Sequence, residues 1–175
     1  MKKIVVIGPE STGKSSLCEQ LANRFHTSWV PEYAREHLLK EGIKYNYDDL
    51  LVIAKKQLAL EDEMAYQTSS GMLFIDTNMY VMKVWCEFVF GKCHQWILDK
   101  IVERRYDLYL LCDTDLEWTK DELREYPDLI SRRKLFHIYR DIMINQHVPW
   151  TTISGSDEMR TNMAAQAVTG LFTHA

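Results

Sequence analysis

The residues best suited to chemistry lie near the start of the chain, where Gly8-Pro9-Glu10-Ser11-Thr12-Gly13-Lys14-Ser15 matches G-x-x-x-x-G-K-S/T in full. Glycines permit a tight turn whose backbone N–H groups converge on phosphate oxygens, and a helix starting near Lys14 adds the positive end of its dipole. The Lys14 ammonium would reach the β- and γ-phosphates of ATP and the Ser15 hydroxyl would be a ligand of Mg2+. Gly8, Glu10, Ser11, Thr12, Gly13, Lys14, Ser15 and Ser16 are therefore the candidate nucleotide cradle. An apolar strand pattern precedes this loop and a helix pattern follows it, the context that the mechanism demands.

Further groups could complete a phosphoryl-transfer site. Glu32-Tyr33-Ala34-Arg35 offers a carboxylate to accept a hydroxyl proton, a ring to stack on a planar base and a guanidinium to pair with oxyanions. Asp76 ends the apolar run Met72–Asp76, where a carboxylate can hold the water shell of magnesium. General base is the other role for Asp76, and residue types alone leave it exchangeable with Glu32 in that role. Gln57 could hydrogen-bond a carboxamide or a base. Between Asp113 and Lys134 the chain is polar and carries Trp118, Arg124, Arg132 and Arg133, so 114–134 reads as a lid whose arginines neutralise a moving phosphoryl group.

The expected catalytic set is thus Lys14, Glu32, Asp76, Arg124 and Arg132, with Ser15 and Asp76 on the metal side. Glu32, Tyr33, Arg35, Gln57, Asp76 and Trp118 are the expected acceptor contacts. Tyr80, Trp85, Phe88 and Trp96 fall in a helical stretch and are expected in the core. Backbone near an adenine is expected in the stretch Ser154 to Arg160. The histidines have no ligand-like spacing, and Cys18, Cys86, Cys93 and Cys112 form no C-x-x-C pair, which suits packed thiols in a reducing cytoplasm.

These side chains need a frame. Five short β-rich runs, Lys3–Ile7, Thr27–Val30, Met72–Asp76, Leu108–Cys112 and Trp150–Ser154, alternate with helix-like stretches at Lys14–Phe25, Asp48–Ser69, Met79–Arg105, Ser131–Gln146 and Asp157–Phe172. The longest helical stretch has room for a break. Such alternation predicts an α/β fold with a five-stranded, doubly wound parallel sheet and helices on both faces, in one domain over 1–175. In such sheets ligands lie beyond the carboxyl ends of the strands, where the polar residues named above cluster.

No apolar run approaches the roughly 18 residues of a membrane span. The net charge of −4 provides no long-range attraction to nucleic acid or anionic lipid. The expected partner is a small nucleoside-type acceptor, with no nucleic acid and no membrane; self-association into a homo-oligomer stays open.

The sequence resembles the ribosylnicotinamide kinase domain of bacterial NadR proteins, in the NadR-like branch of P-loop kinases. The likeness rests on the order and spacing of G-P-E-S-T-G-K-S-S-L (Gly8–Leu17), E-Y-A-R-E (Glu32–Glu36), F-I-D-T (Phe74–Thr77), Y-D-L-Y-L-L (Tyr106–Leu111), Trp118 and R-K-x-F (Arg133–Phe136). It implies the P-loop fold of nucleoside and nucleotide kinases and transfer of the ATP γ-phosphate to the 5′-hydroxyl of nicotinamide riboside, giving nicotinamide mononucleotide. By position, Lys14 and Ser15 would serve ATP and magnesium, while Glu32, Tyr33, Arg35 and Asp76 would line the acceptor side. Full-length NadR proteins also carry an adenylyltransferase domain with an H-x-G-H motif, whereas this chain starts at the kinase strand, so neither NAD synthesis from the mononucleotide nor repression is expected of it. The competing readings are an ATPase or nucleotide-dependent switch using the same loop, and a kinase of another nucleoside or nucleotide. No N-K-x-D string occurs, which favours ATP over GTP, and Arg35 alone is thin provision for an acceptor phosphate.

Overall fold

A computed structural model of the protein describes residues 1–42, 44–118 and 125–173. The chain runs β1 (Lys2–Ile7), α1 (Lys14–Arg24), β2 (Ser28–Val30), α2 (Tyr33–Glu41), α3 (Tyr47–Gln67), β3 (Met72–Asp76), α4 (Met79–Phe90), α5 (Gln95–Glu103), β4 (Leu108–Cys112), α6 (Leu129–Asn145), β5 (Trp150–Ile153) and α7 (Asp157–Thr173). The strands form one five-stranded parallel sheet in the order β2-β3-β1-β4-β5.

The central strand shows why the sequence folds this way. Ile4, Val5, Val6 and Ile7 of β1 are stiffened by β-branching and are all fully buried, as a strand covered on both faces must be. Ile4 and Val6 meet Leu17 and Leu21 of α1 and Ala164 and Val168 of α7. Val5 and Ile7 point the other way, towards Val81 and Val84 of α4 and Leu135 and Tyr139 of α6. Leu50 and Ile53 of α3, Met82 of α4 and Ile97 of α5 make a third cluster between helices beside the sheet.

Register places the chemistry. Val6 of β1 lies beside Asp76 of β3, and Ile7 lies beside Leu111 of β4, so the loops leaving β1, β3 and β4 emerge at one edge. With β1 at the centre, that edge is the crevice where open parallel sheets hold ligands.

The expected helical stretch Met79–Arg105 is two helices, because Gly91 takes the left-handed conformation (φ 69°) and closes α4 with a bond from its N–H to the Glu87 carbonyl. Helix α2 was not among the expected helices: nine residues with Ala34 and Leu38 as its buried pair give a weak periodic signal. Helix α6 starts two residues before the expected Ser131, since the Asp128 carboxylate caps it by accepting from Ser131 N at 2.7 Å. Of the expected lid, 129–134 are the first turns of α6, while Arg124 lies outside the described residues. Among the described residues no helix is long and apolar enough to cross a membrane.

Candidate active site

Gly8 leaves β1 with φ 143°, and a Cβ there would sit 2.8 Å from the Cys112 carbonyl oxygen, so only glycine lets the loop pass β4 this closely. Gly13 ends the turn at φ 74° as the N-cap of α1, and it brings no side-chain acceptor to the first N–H groups of that helix. The buried Thr12 hydroxyl donates to the Pro9 carbonyl at 2.7 Å, and Lys14 Nζ donates to the same oxygen at 3.0 Å. The loop is thus closed by its own side chains, with a helix N-terminus and an ammonium beside it: an anion site.

Beside the loop, Ser15 Oγ donates to Asp76 Oδ2 at 2.5 Å. Asp76 is fully buried, and burial, with the Glu32 carboxylate adding to it, pushes its pKa up to about 6 against the pull of Lys14 and the hydroxyls of Ser15 and Thr77. Thr77 has φ 76°, a conformation seldom taken by a β-branched residue, and this sharp turn comes immediately after the carboxylate. Asn78 follows as the cap of α4, accepting from Tyr80 N and donating to Tyr109 Oη at 3.1 Å. Ser15 borders the space beside the loop and the buried Asp76 stands directly behind it, which suits Mg2+ that keeps waters and phosphate oxygens as its other ligands. Among the described residues no cluster of three or more His, Cys, Asp or Glu forms a closed metal cage.

A cavity of about 500 Å³ extends from this loop. Residues 8–16 line it together with Glu32, Ala34 and Arg35 at the start of α2, and a further wall carries Tyr45, Trp85, Phe88, Glu125, Tyr126 and Tyr139. Tyr45 ties that wall together: its hydroxyl accepts from Trp85 Nε1 at 2.9 Å and donates to Glu125 Oε2 at 2.9 Å. Burial raises the pKa of Tyr45, and burial together with the Glu32 charge raises that of Tyr139.

The structure brings Lys14, Ser15, Ser16, Glu32 and Arg35 onto this cavity. Tyr33 does not line it; its ring packs beside His37 and the helical cluster. Gln57, expected to touch the acceptor, is buried behind the site: its oxygen accepts from Tyr33 N at 2.7 Å, and its amide donates to the Pro31 and Asp76 carbonyls at 3.2 and 3.3 Å. It clamps the turn after β2 to the end of β3. Trp118 also stands outside the lining, with a buried indole N–H that has no partner among the described residues. Arg132 is buried behind the loop and, among the described residues, donates to the carbonyls of Ser11, Thr114 and Leu116 at 3.2–3.4 Å.

Conversely, Trp85 and Phe88, expected in the core, face the cavity, because their positions on α4 turn towards α2 and the segment before α6. Tyr45 and Glu125 carried no sequence signal of a role, and Arg160 entered only as the end of the stretch whose backbone was expected near an adenine. Arg160 is buried at the start of α7 and donates to the carbonyls of Thr12, Asp113 and Gly155 at 3.0 Å each, and to the Asp115 carboxylate. It joins the phosphate loop to the ends of β4 and β5.

A family model described as an AAA domain matches residues 3–160. The trifunctional NAD biosynthesis/regulator protein NadR of Escherichia coli (strain K12) is 27% identical over 161 residues, covering 90% of this chain and 39% of the relative. The chain therefore spans about two fifths of the length of that relative. A crystal structure of NadR protein in complex with NAD and AMP-PNP superposes with a TM-score of 0.77 at 21% identity, covering 97% of this chain and 49% of that one. NadR protein in complex with NR gives a TM-score of 0.76 at 20% identity, with coverage of 97% and 50%. Thymidylate kinase from Ehrlichia chaffeensis gives 0.67 at 12% identity, with coverage of 95% and 98%. The fold is that of the P-loop kinases, as the sequence resemblance implied.

Proposed function

The chain belongs to the AAA domain family of P-loop proteins, and we propose that it is an ATP-dependent kinase of a small nucleoside-type acceptor, with nicotinamide riboside favoured by its likeness to NadR. The observation that carries this reading is the continuity of the cavity. One space joins the anion-binding loop to a wall of carboxylates and aromatic rings, so the phosphate end of a donor and a planar-ringed acceptor would meet in it. Glu32, Glu125, Tyr45, Trp85 and Tyr126 give that wall a negative and π-rich character suited to a cationic pyridinium ring.

In this mechanism the loop amides and Lys14 orient the triphosphate, and Ser15 and Asp76 would hold Mg2+. The ion, when bound, offsets the negative charge of the phosphates. Glu32 is the better candidate for the base, because it borders the cavity and no described residue donates a hydrogen bond to it, whereas Asp76 is held by Ser15. The acceptor hydroxyl gives its proton to the Glu32 carboxylate, its oxygen bonds to the γ-phosphorus, and the bond from that phosphorus to the β–γ bridging oxygen breaks to release ADP.

The test is an ADP-release assay over nicotinamide riboside, common nucleosides and their monophosphates, with Lys14→Ala as the blank. Turnover that depends on nicotinamide riboside, or on another nucleoside, supports the proposal at its finer or its coarser level. Turnover indifferent to every acceptor replaces it with an ATPase or switch.

A further inference from the structure

We infer that Glu10 is a positioning residue for the acceptor half of the cavity and not a ligand of the nucleotide, an inference that rests on the kinase reading above. Glu10 sits within the phosphate loop, where a carboxylate facing phosphate oxygens would repel them. Its charge is committed elsewhere. Oε1 accepts from Tyr126 N at 2.6 Å and Oε2 accepts from Glu125 N at 2.9 Å, so both oxygens hold successive backbone groups more than a hundred residues away in sequence. Only a carboxylate presents two acceptors in this fork, and such charge-assisted bonds are stronger than neutral ones.

What Glu10 holds is the acceptor wall. The Glu125 carboxylate accepts from Tyr45 Oη, which in turn accepts from Trp85 Nε1. The Tyr126 ring stands edge-on to Phe88 with centroids 5.3 Å apart. Residues 125–127 belong to no helix or strand, so these side-chain bonds supply the fixing that regular backbone pairing supplies elsewhere. A chain of hydrogen bonds thereby runs from the phosphate loop through Glu125 to Trp85, and every residue in it borders the cavity. Loosening its first bond shifts the acceptor's surroundings and leaves the loop glycines, Lys14 and Ser15 in place.

Glu10→Gln retains the shape of the side chain but turns an NH2 group towards one of the two backbone N–H donors. It should raise the acceptor KM roughly tenfold, the loss of about one charge-assisted hydrogen bond, with the ATP KM within about twofold of its starting value. Tyr45→Phe cuts the same chain at its other end, so the double variant should show less than the product of the two single effects. A rise in ATP KM with unchanged acceptor KM, or independent multiplying effects, overturns the inference. Acrylamide quenching of Trp85, taken as the difference between each protein and its Trp85→Phe counterpart, reads the wall without any substrate. Greater quenching in Glu10→Gln is expected, and unchanged quenching overturns the inference. Should no acceptor support turnover while the quenching does change, the kinase reading alone fails.

Discussion

The Ser15 hydroxyl donates to the Asp76 carboxylate at 2.5 Å, joining the first turn of α1 to the end of β3. Two residues 61 positions apart thereby present their oxygens together, and neither can change without disturbing the other. Asp76→Asn should lower kcat by at least about 100-fold, the scale of losing a preorganised charged group. Tyr33→Phe should cost less, since the Tyr33 ring lies off the cavity. Steady-state ADP release measures both, and a fully active Asp76→Asn protein would remove Asp76 from the site.

The same carboxylate makes stability depend on pH in the nucleotide- and magnesium-free protein. Burial, and then the Glu32 charge, push its folded pKa up to about 6 from the ordinary aspartate value of 3.8. Between those values the folded protein binds more protons than the unfolded chain, so stability falls as pH rises through that window. Above it, ionised Asp76 should cost about 1–3 kcal/mol. Thermal melts from pH 3.5 to 8 should show Asp76→Asn more stable than the parent at pH 7.5, with the difference fading towards pH 4. A constant difference across that range would contradict the assignment.

Gln57→Ala should destabilise by about 2–4 kcal/mol in urea melts, because it strands Tyr33 N–H and the carbonyls of Pro31 and Asp76. It should also lower kcat, since the clamp sets the turn that carries Glu32 and the end of the strand that carries Asp76. A stable protein with only a raised acceptor KM would instead make Gln57 a direct contact.

Glu61 provides the contrast at the opposite edge of the sheet. Its buried carboxylate accepts from Lys3 Nζ at 2.7 Å and from Tyr106 Oη at 2.9 Å. Glu61→Ala leaves both donors without that partner and should cost about 2–4 kcal/mol, less than a fully buried pair because Lys3 is partly hydrated. Activity of the folded fraction should match the parent, as these groups lie at the amino ends of β1 and β4. A large loss of kcat at full folding would show that the pair reaches the site.

The phosphate loop was legible in eight consecutive residues because its chemistry is local: glycines at the turns, a lysine and a hydroxyl at the start of a helix. The strands were legible for the same reason, since short apolar runs bounded by polar residues suit extended, doubly covered backbone. Asp76 could be picked out because it ends such a run. Other features depend on which faces meet. Tyr33 and Trp85 are both aromatic residues on helices, yet only Trp85 borders the cavity, and the packing of α2, α3 and α4 decides this. Gln57 became a clamp, and Arg132 and Arg160 became buried ties to the loops, through carbonyl groups that leave no trace in side-chain identity. The sequence by itself determined a phosphate-loop motif between the first strand of a parallel sheet and a helix. Only the tertiary structure decided what faces that loop, because Glu10, Tyr45, Trp85 and Glu125 meet through hydrogen bonds between segments distant in the chain, and no local pattern of residues encodes such a meeting.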